Sequence, residues 1–139
     1  MSNRVGTPKI AETADVFEPV VMTRADNITI DEHARIDSFV KLEGGKGLHI
    51  GKHVHVASMA HLGIGGGETV LEDYSPVASG GKVISGSNSP EGLSMSAAAP
   101  PEMQVVKTSE IPMLQAGTCA IPYHAKPKAG PRAHGWIGR

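Results

Sequence analysis

Residues 50–83 read IGKHVHVASMAHLGIGGGETVLEDYSPVASGGKV. Aliphatic side chains recur at every sixth position, at Ile50, Val56 and Leu62 and again at Leu71, Val77 and Val83. Small or compact residues, Val54, Ala60, Ser75 and Gly81, stand four places after the first two members of each trio. A period of six is neither the two of an amphipathic strand nor the 3.6 of a helix. It fits a solenoid in which each unit supplies one short strand and one corner and turns its aliphatic residue toward the axis.

Toward the N-terminus the register continues through Ile10, Val16, Met22 and Ile28. A helix over residues 10–17 competes with this, because Ile10, Ala14 and Phe17 share a helical face behind a Thr7-Pro8 start. The six-residue count accounts for more of the segment. It shifts by two at Ile28/Ile30, by two at Leu48/Ile50 and by three between Leu62 and Leu71. Three hexapeptides and a small insertion therefore make one coil, and coils start at Ile10, Ile30, Ile50 and Leu71, with lengths of 20, 20 and 21 residues. The insertions fall at one corner, where glycine accepts positive φ without steric cost. Four coils at strand spacing stand about 19 Å tall. The register also predicts outward columns: Thr13, His33, His53 and Tyr74; Asp15, Arg35, His55 and Pro76; Val21, Lys41, His61 and Lys82.

The organisation that follows is a flexible N-terminus (1–9), the coils (10–84), a long loop (85–106) and a basic, proline-containing tail (107–139). The tail carries five Lys or Arg against Glu110 alone, and beyond Val106 no register is recovered apart from a weak IPYHAK unit. The chain of 139 residues is one domain by length, and 4% aromatics with 17 Gly suit a thin interior. A net charge of −1 gives no electrostatic footprint for nucleic acid. Cys119 is the single cysteine, which excludes an internal disulfide. With no apolar leader and no membrane-length run, the expectation is a soluble, cytoplasmic protein.

The repeats, the stretch from Val54 to Val83 and the loop SGSNSPEGLSMSAAAPPEM (85–103) resemble the hexapeptide-repeat acyltransferases, and within them the sugar O-acetyltransferases of surface-polysaccharide synthesis. The resemblance spans residues 10–106. It implies an all-β, left-handed parallel β-helix of about four coils, an acetyl-CoA donor, a sugar hydroxyl as acceptor and a homotrimer with active sites between subunits. The chain departs from the family after the loop, where further coils usually follow.

Acyl transfer from a thioester to a hydroxyl needs a base for the hydroxyl proton and donors for the oxyanion. By resemblance, His55 in the VHVA stretch is the candidate base. His61 is the alternative, with Lys41 and Lys82 in its column. Lys41 and Lys82 are candidates for the phosphates of CoA, and Gly65, Gly66 and Gly67 for backbone donors. Ser87, Asn88 and Glu91 in the loop are candidates for the acceptor sugar. A zinc reading, suggested by the γ-class carbonic anhydrases of the same fold, lacks a later pair of histidines four apart, so no metal is expected. The rival is a non-catalytic β-helical module in which His49, His53, His55 and His61 simply decorate the outer surface.

Overall fold

The computed structural model describes residues 6–108 and the backbone of 111–114. Every element up to residue 84 follows the six-residue count. The strands are β1 Lys9–Ile10, β2 Asp15–Val16, β3 Val21–Thr23, β4 Ile28–Ile30, β5 Arg35–Ile36, β6 Lys41–Glu43, β7 Gly47–Ile50, β8 His55–Val56, β9 His61–Ile64, β10 Glu68–Leu71 and β11 Lys82–Ile84. After them come β12 Gly86–Asn88, β13 Val106–Thr108 and β14 Ile111–Leu114.

Strands one coil apart pair in parallel and build three sheets. The first sheet runs β1-β4-β7-β10-β14, the second β2-β5-β8 and the third β3-β6-β9-β11. Ile10 pairs with Ile30, Ile30 with Ile50 and Ile50 with Leu71, so the coil starts and lengths are those of the sequence register. A bridge from Val56 to Val77 carries the second sheet into the fourth coil. The segment 10–17 forms β1 and β2 and no helix.

Residues at the aliphatic positions face the axis. Ile30, Ile36, Leu42, Ile50, Val56, Leu62, Leu71, Val77 and Val83 are all buried, as are Val54, Ala60 and Ser75 at the compact positions. Among the described residues the first coil has a neighbouring coil on one side only. Its inward residues Ala14, Val16, Val20 and Met22 are therefore partly covered, and Ile10 stays exposed.

From the second coil on, the corners between the sheets carry a residue in the left-handed region. His33, His53 and Tyr74 hold φ of 58°, 55° and 63° between the first and second sheets. Phe39, Met59 and Gly80 do so between the second and third, at 64°, 66° and 71°. The column read at the first of these corners is physical: the rings of His33 and His53 stack at 4.9 Å and those of His53 and Tyr74 at 5.0 Å. At its foot the His33 N–H donates to Thr13 Oγ1 at 3.2 Å.

The long loop is closed at its base by antiparallel pairing of β12 with β13, Gly86 opposite Thr108 and Asn88 opposite Val106. The chain then returns to the solenoid. β14 adds to β10, with Thr69 opposite Ile111 and Leu71 opposite Leu114. The fourth coil thus runs from Leu71 to Leu114 and is about twice as long as the others because it carries the loop. The stretch read as irregular tail therefore includes two strands, while Cys119, His124, His134 and Trp136 lie outside the described residues. Among the described residues no helix is long and apolar enough to cross a membrane.

Candidate active site

Three histidines six residues apart each meet a carboxylate of the coil below. His49 Nε2 lies 2.7 Å from Asp31 Oδ2, His55 Nε2 lies 2.9 Å from Asp37 Oδ2, and His61 Nε2 lies 2.5 Å from Glu43 Oε1. Every pair is 18 residues apart in sequence. The reason is the coil register: the residue directly below each histidine is 20 back, and two places further along that strand the side chain leaves on the same face. One pair therefore sits on each face of the solenoid. Two of them gain a cation from the position beside the acid, Arg35 Nε at 2.7 Å from Asp37 and Lys41 Nζ at 3.1 Å from Glu43.

Because the local geometry repeats, hydrogen bonding alone does not single out one histidine. The surroundings of the three differ. A groove of about 870 Å³ opens between the hairpin base and the glycine corner that joins the third sheet to the first. Lys41 and Glu43 line it, together with Arg24, Lys46, Gly65 and Gly66 on the solenoid and Ser87, Asn88, Met95 and Gln104 on the loop. Neither His55 nor His61 is itself a lining residue; His61 contacts the lining residue Glu43, and its side chain is 25% exposed against 48% for His49 and for His55. His55 is on the second sheet, and its partner Asp37 does not line the groove.

The electrostatics follow from these contacts. The Glu43 carboxyl titrates below its ordinary value of 4.5, chiefly because His61 donates a hydrogen bond to it, with Lys41 adding to the effect and burial opposing it. Asp37 is likewise lowered, first by the Arg35 hydrogen bond and then by that of His55. A neutral His61 that donates its Nε2–H to Glu43 carries its lone pair on Nδ1, the atom that accepts a proton.

Other candidates fall into place less uniformly. Lys82 stands above His61 in the predicted column but is not on the groove wall. The Gly67 N–H already donates to Ser85 Oγ at 2.9 Å, and the Gly66 N–H to the Gly63 carbonyl at 3.2 Å, so neither points an unused donor at a ligand. Asn88 lines the groove, yet its amide donates to the Met95 carbonyl at 2.9 Å and to Gln104 Oε1 at 3.0 Å and so holds the loop together. Glu91 forms an ion pair with Lys107 at 2.8 Å, away from the groove. Ser87 Oγ donates to the Asn88 carbonyl at 3.2 Å. Glu43, Arg24, Lys46 and Gln104 are groove residues that the sequence reading missed. Among the described residues no three His, Cys, Asp or Glu side chains gather as a metal-binding group.

The Glu43 contacts predict a pH dependence. A carboxyl lowered in the folded state stabilises the fold fully above its unfolded value, near 4.5, and this contribution disappears as pH falls through the lower folded value. Urea midpoints of the wild type and Glu43→Gln are thus expected to differ at pH 6 and to converge as pH falls below 4.5 and through the lower folded value. A constant difference across that range would mean that the ionised form of Glu43 has no special partner in the fold.

No family model matches the chain, and no curated protein matches it in sequence. Solved structures do. Mutants of AntD, an N-acyltransferase from Bacillus cereus, superpose with a TM-score of 0.56 at 24–25% identity, in complexes with coenzyme A and either dTDP or dTDP-4-amino-4,6-dideoxyglucose. The match covers 79% of this chain and 55% of that one, so this chain spans about half the length of the solved neighbours.

Proposed function

We propose that this solenoid serves an acyl-CoA-dependent acyltransferase whose acceptor is a sugar, with His61 as the general base. The observation that carries the reading is the hydrogen bond of His61 to Glu43, which with Lys41 lines a groove bounded on its far side by the loop. Support comes from the fold shared with AntD, an enzyme seen in complex with coenzyme A and, in one structure, a nucleotide-linked sugar. Both molecules are intracellular metabolites in general, which favours a cytoplasmic reaction.

The chemistry is direct transfer. The acceptor nucleophile attacks the thioester carbonyl while His61 Nδ1 takes its proton. The tetrahedral intermediate collapses with release of the CoA thiolate, and the imidazolium returns the proton to sulfur. Glu43 fixes the tautomer and stabilises the imidazolium, by the logic of a catalytic triad. Lys41 offers positive charge beside the developing oxyanion. An amino sugar is the favoured acceptor, since one of the solved neighbours holds a nucleotide-linked one. A sugar hydroxyl is the second reading, favoured by the resemblance of residues 54–103 to O-acetyltransferases, which also points to acetyl as the group transferred. The exposed Leu93 and Met95 on the loop, 83% and 58% accessible, are surfaces that a homotrimer would cover.

The test is calorimetric titration of CoA into the purified protein with its mass taken by light scattering, followed by assays with acetyl-CoA and amino- or hydroxyl-bearing nucleotide sugars. Binding at micromolar CoA by a trimer, with turnover of one acceptor class, is expected. No CoA binding at millimolar ligand would leave the non-catalytic module.

A further inference from the structure

The groove carries more positive charge than the proposed proton transfer uses. Arg24, Lys41 and Lys46 line it against the single carboxylate of Glu43, and that carboxylate is matched by Lys41 and His61. Two cations, Arg24 and Lys46, are left over. Lys46 Nζ donates to Thr108 Oγ1 at 2.9 Å, which ties it to the loop base without neutralising it. The Arg24 guanidinium has no hydrogen bond or ion pair among the described residues.

The space around Arg24 is open. Arg24 holds φ of 50° at the corner that later coils turn with Gly45, Gly65 and Gly66, at 46°, 91° and 77°. His33, Phe39, His53, Met59 and Tyr74 hold the same left-handed conformation at the other corners, so this fold accommodates a side chain there. A Cβ on Gly66 would have only Arg24 Nη1, at 4.0 Å, within contact range, so this glycine leaves open space in front of the guanidinium.

We propose that Arg24 and Lys46 form a clamp for the phosphate groups of a nucleotide-bearing substrate. The planar guanidinium takes two phosphate oxygens and the ammonium adds a point charge across the glycine corner. Two substrates of the proposed transfer carry a diphosphate, the CoA donor and a nucleotide-linked sugar. The assignment of the site to one of them rests on the acyltransferase reading. The existence of an anion clamp does not.

The experiment titrates CoA, uridine diphosphate and inorganic pyrophosphate into the wild type, Arg24→Gly and Arg24→Lys at one fixed moderate salt concentration. Arg24→Gly is expected to weaken pyrophosphate and one nucleotide about tenfold or more, the size of a lost charge-assisted contact, with Arg24→Lys in between. Its melting temperature is expected within about 3 °C of the wild type or above it, because glycine suits this corner. Loss confined to CoA assigns the clamp to the donor, and loss confined to uridine diphosphate assigns it to the acceptor. Should Arg24→Gly fold poorly, Arg24→Gln, which keeps the side-chain bulk and removes the charge, is read by the same criterion. Unchanged affinities for all three probes in the variants would overturn the clamp and leave the acyltransferase reading standing. Arg24-dependent pyrophosphate binding without any CoA binding would keep the clamp and remove that reading. No binding of any probe by the wild type would remove both.

Discussion

His61→Ala lowers kcat by about 10²–10⁴-fold, the range that a positioned general base supplies, while CoA binding stays within about twofold of the wild type. The split between kcat and binding follows from its role, since the base acts on the acceptor proton and not on the donor. Glu43→Gln falls between the wild type and His61→Ala, because an amide still accepts the imidazole N–H at 2.5 Å but brings no charge to the imidazolium. The comparison with the other faces gives the experiment its power. His49 has the same kind of carboxylate partner, at 2.7 Å, so His49→Ala removes an equivalent hydrogen bond and is expected to leave turnover unchanged. His55→Ala decides between the sheets: a larger loss there than at His61 would move the base to the second sheet and leave the groove without a proton acceptor.

The register that organises the solenoid was legible residue by residue. Ile10, Ile30, Ile50 and Leu71 start the coils in the sequence and pair in the fold, because burial of one aliphatic residue per six is a one-dimensional constraint. The pairs of histidine and carboxylate were present in the sequence too, as Asp31, Asp37 and Glu43 followed 18 residues later by His49, His55 and His61. They escape a reading confined to vertical columns, in which His61 meets only Lys41 and Lys82; its nearest charge is the diagonal neighbour Glu43. The return of the chain at β14 was hidden for a different reason. Thr69 and Leu71 face Ile111 and Leu114, so one strand has an extra residue and the six-residue count breaks at the place where Pro112 interrupts the pattern. The groove was the least legible part. Its wall joins residues of three coils to both strands of the hairpin, and the antiparallel pairing of β12 with β13 is what brings Ser87 and Asn88 opposite Lys41 and Glu43.

That union of hairpin and solenoid depends on one close backbone approach, which yields the second large expected effect. A methyl group on Gly65 collides with the carbonyl of Gly86, where the loop leaves the third sheet, and Gly65 also holds φ of 91°. The obstacle is main chain, so it has no rotamer through which to yield. Gly65→Ala is expected to cost about 2–4 kcal/mol, from left-handed strain and overpacking together. Gly80→Ala isolates the first contribution. Its φ is 71°, nothing lies within 4 Å of the added methyl, and the expected cost is about 1–2 kcal/mol. Urea unfolding of the two variants separates collision from strain, and equal losses would show that the Gly65–Gly86 approach does not constrain the fold. Activity at a temperature where both variants are folded carries the argument to function. Gly80 turns the corner between the second and third sheets, away from the groove, so Gly80→Ala keeps wild-type turnover. Gly65→Ala must displace Gly86 and with it the hairpin base, which moves Ser87 and Asn88 away from Lys41 and Glu43 and lowers turnover even in the folded fraction.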